Sequence, residues 1–281
     1  MAINVAPRPM PANPALERKD SWWLQPVATA IILIGFVIYS TWRVLENNFF
    51  DTGAENALSI VKSQGLHYIS PFYALPDFGL PFLKIPLIAA AYALAIPVSF
   101  RATCYFCRRT AYRAFFSDPS ACGVKEFIPK GKNYTGERQF PFSLVNLHRY
   151  TLYLVLGLVA LHWLHLAEAF IFSKVTVSGN QIVGNPHFGV GVGTIILAVD
   201  TVALTLYVAS CHSFRHVMGG FVNMFSKNDG AKTRFKIWQK ITLLNEQHGL
   251  YFWVSLGSIW LADLYIRLVT AGILPDIKVV L

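Results

Sequence analysis

LVNLHRYTLYLVLGLVALHWLHLAEAFI, residues 144–171, carries only two formal charges, Arg149 near its start and Glu168 near its end. A helix needs about 20 predominantly apolar residues to cross a bilayer, and this run exceeds that length with its charges held at the two ends. Four further apolar blocks of similar kind lie at 24–42, 82–98, 190–210 and 241–268. Across the 281 residues 54% of side chains are hydrophobic and 14% charged, whereas a soluble domain carries about 25% charged residues. The fold class expected is an all-α integral membrane protein with five transmembrane helices.

The net charge of +9 invites a nucleic-acid reading, but its placement belongs to a membrane protein. The amino-terminal tail holds three Lys and Arg, the stretch from Arg101 to Arg138 eight, and that from Arg215 to Lys240 six. The opposite side has Lys62, Lys174 and Lys278, with Arg43, Lys84 and Arg267 at the outer ends of spans. This partition puts the amino terminus and both basic loops in the cytoplasm and the carboxyl terminus outside. The tail, 1–23, is polar and proline-rich (Pro7, Pro9, Pro11, Pro14), and the first span lacks a small-residue cleavage site, so no secretory signal is expected. Trp22 and Trp23 sit where an interfacial aromatic belt would lie. The remainder, 24–281, is expected to be a single five-helix membrane domain with a cytoplasmic cysteine-containing loop at 101–143. Residues 57–61 in the long outer loop suit a short interfacial helix. Residues 103–116 suit an amphipathic extension of the second span, and 121–142 an irregular segment. No internal repeat stands out.

The topology gathers scattered residues at one depth. Cys104 and Cys107 follow the inner end of the second span, and Cys122 lies in the loop beyond. His148 falls one turn into the third span, Cys211, His212 and His216 at the inner end of the fourth, and His248 about two turns into the fifth. All four cysteines and four of the eight histidines thus share the inner layer. Cytoplasm-facing thiols are kept reduced, which argues against a disulfide and against thiol oxidation at the outer face. Soft thiolates beside imidazoles suit zinc or an iron–sulfur cluster. Two Cys on one iron and two His on the other make the Rieske type, whose raised potential suits electron transfer to a quinone. A lone membrane cysteine can equally be an apolar filler. Cys107 is open between that and a CxxC partner of Cys104.

Two other readings compete. A haem b anchor needs histidines facing one another from different helices. In the outer half only His162 and His165 fall on a span, the same one, with His162 about 21 Å beyond His148 at 1.5 Å per residue. Two haems are therefore not expected, and a single inner haem between His148 and His212 would leave the cysteines without a use. A transporter or scaffold would instead use the intramembrane charges Arg43, Glu168, Asp200, Asp263 and Arg267 to line a path, although Asp263 and Arg267, four apart, can simply pair.

The stretches TCYFCRRTAYRAFF, PSACGV, NLHRY, CHSFRH, LNEQHG and ADLYIRLVTAG, spread over 103–272, resemble the membrane anchor of actinobacterial succinate dehydrogenase 1, a complex II whose anchor carries a Rieske-type [2Fe–2S] cluster instead of haem. The resemblance implies a multi-pass protein of the bacterial plasma membrane, bound to a flavoprotein and an iron–sulfur subunit on the cytoplasmic face. Succinate would be oxidised on the partner's flavin and quinone reduced in the membrane, with no haem expected. The matching thiols are Cys104, Cys122 and Cys211, and the matching imidazoles His148, His212, His216 and His248. Relatives are expected to carry an aromatic residue at position 107. Helix geometry offers one quartet, His212 and His216 clamping one iron from a shared face with Cys104 and Cys122 as thiolates. His148 or Cys211 can substitute. Arg149, Tyr150, Trp238, His248 and Trp253 are the candidate quinone neighbours, His248 as a proton or hydrogen-bond donor.

Overall fold

The computed structural model describes residues 19–53, 65–73, 86–124, 142–173, 176–178, 181–183, 186–220 and 222–281. The expected interfacial helix at 57–61 and most of the amino-terminal tail lie outside them. Four described helices are long and apolar enough to cross a membrane: α1 (Leu24–Glu46), α4 (His148–Glu168), α5 (Val192–Ala209) and α8 (His248–Thr270). An 18-residue helix, α2 (Pro86–Thr103), occupies the second expected span. Three further α-helices, α3 (Tyr105–Phe116), α6 (His212–Gly219) and α7 (Asp229–Glu246), are present among the described residues.

The burial pattern is that of a bundle in an apolar solvent. Along α1 the buried positions are Thr29, Phe36, Ser40 and Arg43, one stripe at helical spacing. Ile31, Val37, Ile38 and Leu45 are fully presented outward. The central pair is α5 against α8. On α8 the buried residues Phe252, Ser255, Leu256, Ile259, Ala262, Asp263, Ile266, Val269 and Thr270 recur every three or four positions, as a continuous helix–helix seam requires.

Three helix boundaries differ from the sequence reading. The second span does not run on into an amphipathic extension, because the chain opens at Cys104 (φ −68°, ψ 130°) before α3 begins. The fourth span ends at Ala209, and Cys211 is likewise extended (φ −65°, ψ 138°), so His212 and His216 stand on a separate helix. The fifth span starts at His248 rather than 241, since α7 and α8 part at Gln247. Apolar side chains lie on both sides of the first two breaks, so periodicity alone does not mark them, whereas the third falls in the polar run 245–248. The start of α7 is marked: the Asn228 side chain accepts from Ala231 N at 2.8 Å, an N-cap.

The chain is mostly helical but not all-α. Strands β1 (Ile171–Ser173), β4 (Pro186–Gly191) and β5 (Lys278–Val280) form an antiparallel sheet in the order β1–β4–β5, and β2 (Thr176–Ser178) pairs with β3 (Gln181–Val183). The sheet caps the end of the bundle opposite the cysteines. Beside it Asp276 accepts from Tyr68 (2.8 Å), Tyr265 (2.6 Å) and Gly193 N (3.0 Å), placing a carboxylate at the start of α5, where the helix dipole favours it. The same half holds the intramembrane charges. Asp263 pairs not with Arg267 but across to α1, accepting from Arg43 Nε at 2.7 Å, from Tyr39 at 2.6 Å and from Ser70. Arg267 instead binds Glu46 at 2.6 Å. Cross-helix partners win because Arg43 is wholly buried and an unpaired buried charge costs far more than a local pair returns.

Candidate functional site

Four helices deliver one residue each to the same end of the bundle. Helices α2 and α5 finish there and hand over Cys104 and Cys211, each the extended residue preceding a short helix. Helices α4 and α8 begin there with His148 and His248 as their first residues. Cys104 and Cys211 are 1% and 0% exposed. Gly249, next to His248, leaves room for the Phe106 ring, which a Cβ would strike.

The contacts among these four are reciprocal. His148 Nε2 lies 3.1 Å from Cys211 Sγ, and His248 Nε2 lies 3.4 Å from Cys104 Sγ. The residue before each cysteine holds the other histidine: Thr103 Oγ1 is 3.0 Å from His148 Nδ1, and Ser210 Oγ is 2.8 Å from His248 Nδ1. Thr103 donates its own proton to Ser99 O and Ser210 donates to Tyr207 O. Both hydroxyls are therefore acceptors toward the imidazoles, which fixes the protons on Nδ1 and leaves both Nε2 lone pairs facing the thiols. Aromatic rings back each imidazole: Phe100 stacks on His148 at 4.6 Å and Tyr207 on His248 at 5.1 Å.

This reciprocity is written in the chain as FRATC (100–104) and YVASC (207–211), an aromatic residue, one variable position, Ala, a hydroxyl residue and Cys. It is the signal that would have found Thr103, Ser210, Phe100 and Tyr207, which the sequence reading passed over.

The other expected residues fall around this core. The His212 ring stacks on His148 with centroids 5.6 Å apart, and its ligand atom lies with those of His148 and Cys211 within 4.8 Å. It is exposed, and its desolvation together with the neighbouring His216 holds its pKa below the usual imidazole value. A cavity of about 490 Å3 opens beside it, lined among others by His148, Arg149, Tyr150, Tyr153, His212 and His216. Trp238 packs under Arg215 (4.3 Å) and Trp253 edge-on to Phe252 (4.9 Å), neither among the residues lining that cavity. Cys122 is exposed and outside the buried group. Cys107 is partly buried on α3, its thiol pushed up to about 12 by burial, and burial pushes the Cys211 thiol up to about 11.

Comparison with known proteins bears on this arrangement. The profile of the actinobacterial succinate dehydrogenase subunit SdhC matches residues 24–272. The chain belongs to that family. The SdhC match spans every helix described above. A chain of the Mycobacterium smegmatis Sdh1 complex, solved in the apo form, superposes with a TM-score of 0.69 at 33% identity, covering 92% of each chain. No curated protein matches. As an SdhC-family chain the protein is a membrane-embedded subunit of a succinate dehydrogenase complex, an oxidoreductase, and partner subunits of that complex are expected.

Proposed function

We propose that this subunit carries electrons from an iron–sulfur partner subunit to quinone through a Rieske-type [2Fe–2S] cluster held by Cys104, Cys211, His148 and His248. The observation that carries the reading is the reciprocal quartet of two buried thiols and two imidazoles whose Nε2 lone pairs are set by Thr103 and Ser210. The donor set fits the group: soft sulfur and neutral nitrogen in equal number, each imidazole oriented through its second nitrogen. When bound, such a cluster supplies one-electron transfer at a potential raised by imidazole ligation. The roles expected for His212 and His248 exchange. His248 is partly buried and hydroxyl-held like His148, whereas the exposed His212 faces the cavity, stacked on His148 and 3.5 Å from Ser213 Oγ.

In this reading the cavity beside His212 receives the quinone head group. Arg149 and Tyr150 hold it by hydrogen bonds, and His212 donates to a quinone oxygen as two electrons and two protons are taken up. The stacked rings of Phe100 and Tyr207 exclude water from the quartet. Five spans, with the basic loops and amino terminus cytoplasmic, would place this end against a flavoprotein and an iron–sulfur subunit at the inner face of the bacterial plasma membrane. The 17-to-six partition of Lys and Arg supports that orientation. Labelling of Cys122 by an impermeant reagent only after the inner face is exposed is the expected result.

The ligand assignment is tested in the purified complex. His148→Ala and His248→Ala should each abolish the reduced-cluster paramagnetic resonance and quinone reduction, while succinate oxidation with an artificial flavin-level acceptor persists. His212→Ala should keep the resonance and lose quinone turnover. A haem Soret band in the wild type, with the resonance absent, would refute the cluster.

A further inference from the structure

The two halves of the quartet match in side-chain type, aromatic, Ala, hydroxyl and Cys, except at one place. In FRATC the second position is Arg101; in YVASC it is Val208. The scaffold therefore accepts an aliphatic side chain at this point, yet one half buries a guanidinium there. Arg101 is 6% exposed. It runs under the site, its Cζ 4.6 Å from the centre of the Tyr207 ring that stacks on His248, and 5.5 Å from that of Phe252. Its Nη1 donates to Phe252 O at 3.3 Å and its Nη2 to Ser255 Oγ at 3.0 Å, both neutral acceptors. Among the described residues it makes no ion pair.

The contrast with Arg43 is direct. That equally buried arginine has a carboxylate at 2.7 Å. A buried cation left without a carboxylate is costly and persists where its field is used. Arg101 acts electrostatically on Asp200, a buried carboxylate that accepts from Ser258 at 2.7 Å through Oδ1. On the other side Arg101 acts electrostatically on His248.

We propose that Arg101 is a positioning residue that sets the reduction potential of the Cys/His centre, a claim that rests on the cluster reading above. Each quinone reduced takes two electrons, which would pass through the site one at a time, so the reduced state of the site carries one additional negative charge. No proton or bond change at Arg101 is involved. Its fixed positive charge, one ring away from His248 and shielded from water, favours the reduced state. At an effective dielectric of about 20 and a separation of about 10 Å, one unit charge shifts such an equilibrium more than tenfold. The symmetric site with Val208 in both halves would lack this bias.

The test is a potentiometric titration of the cluster resonance in the intact complex, comparing wild type, Arg101→Gln and Arg101→Lys. Loss of the charge in Arg101→Gln should lower the midpoint by at least tenfold in the reduction equilibrium, about 59 mV for one electron, with the signal amplitude retained. Arg101→Lys keeps the charge but not the planar fork and should stay within that tenfold of wild type. An assembled Arg101→Gln complex with full signal and an unmoved midpoint would overturn the proposal, because a purely structural role moves amplitude and not potential. Should Arg101→Gln not assemble, a tenfold or greater fall in Arg101→Lys overturns it, and a midpoint near wild type supports it. Absence of any such resonance in wild type removes the cluster reading itself, whereas a resonance with an insensitive midpoint removes only the role of Arg101.

Discussion

At the strand-bearing end of the bundle, buried charges are matched by opposite charges, while at the cysteine end neutral thiols and imidazoles are buried beside one guanidinium, Arg101, that makes no ion pair among the described residues. Arg43, Glu46, Asp263 and Arg267 satisfy one another across α1 and α8, with Tyr39 and Ser70 completing the Asp263 carboxylate. That network closes on itself and holds α1, the least buried of the four long apolar helices, against the core. At the other end two Cys–His contacts, His148 with Cys211 and His248 with Cys104, are held from behind by Thr103 and Ser210. The charged network is closed; oriented imidazoles beside buried thiols are the arrangement that the proposed cluster would use.

Breaking the charged end should have the largest effect on stability. Asp263→Ala removes the carboxylate on Arg43 Nε and leaves Glu46, shared with Arg267, as the guanidinium's remaining acidic partner, a partial loss of a buried pair that costs up to about 3–5 kcal/mol. A marked fall in the thermal midpoint of the purified complex is expected, with the cluster resonance of surviving complex unchanged. Replacing both partners, Arg43→Met with Asp263→Leu, should restore most of that loss. If the single variant instead lost the resonance at unaltered stability, the two ends would not be separable as described.

A smaller lesion sharpens the other side of the comparison. Ser210→Ala and Thr103→Val each remove the hydroxyl that fixes one imidazole, and loss of such an orienting group weakens metal retention by about 10–100-fold. Iron content after chelator challenge should fall in both variants, with stability altered by about 1 kcal/mol. Equal iron retention in the variants and wild type would count against the orientation argument. The smallest effect is expected at Cys122, exposed and outside the quartet. Cys122→Ser should change stability by less than about 0.5 kcal/mol and leave quinone reduction at the wild-type rate. Cys122 should also be the first thiol to react with alkylating reagents at neutral pH, because burial keeps Cys107 protonated and less nucleophilic.

Much of this was legible in the chain before any coordinates. Long apolar runs located the membrane helices at 24–42, 144–171 and 190–210 to within a few residues, because an apolar surround selects for hydrophobicity on all faces. The depth argument also brought Cys104, Cys211, His148 and His248 to one layer. What the sequence did not reveal was which histidine belongs to the core. His212 and His216 do share one face of α6, but the extended backbone at Cys211 separates that helix from α5, and the break at Gln247 makes His248 the first residue of α8, 3.4 Å from Cys104 Sγ. Neither break carries a Gly or Pro; tertiary contacts impose them, such as Asn245 Nδ2 donating to Ser210 O at 2.7 Å. Likewise, the four-residue spacing of Asp263 and Arg267 suggested a local pair, and only the approach of α1 reveals their true partners. The strands at 171–173 and 186–191 were hidden because they continue apolar runs read as helix.

The central claim is that two imidazole nitrogens, those of His148 and His248, sit with two cysteine sulfurs on one redox centre. Nitrogen hyperfine spectroscopy of the reduced complex measures this most directly. Two strongly coupled imidazole nitrogens are expected in the wild type and in His212→Ala, with that spectrum lost in His148→Ala and in His248→Ala. A reduced centre without nitrogen coupling, or two nitrogens that persist when His248 is replaced, would contradict the account.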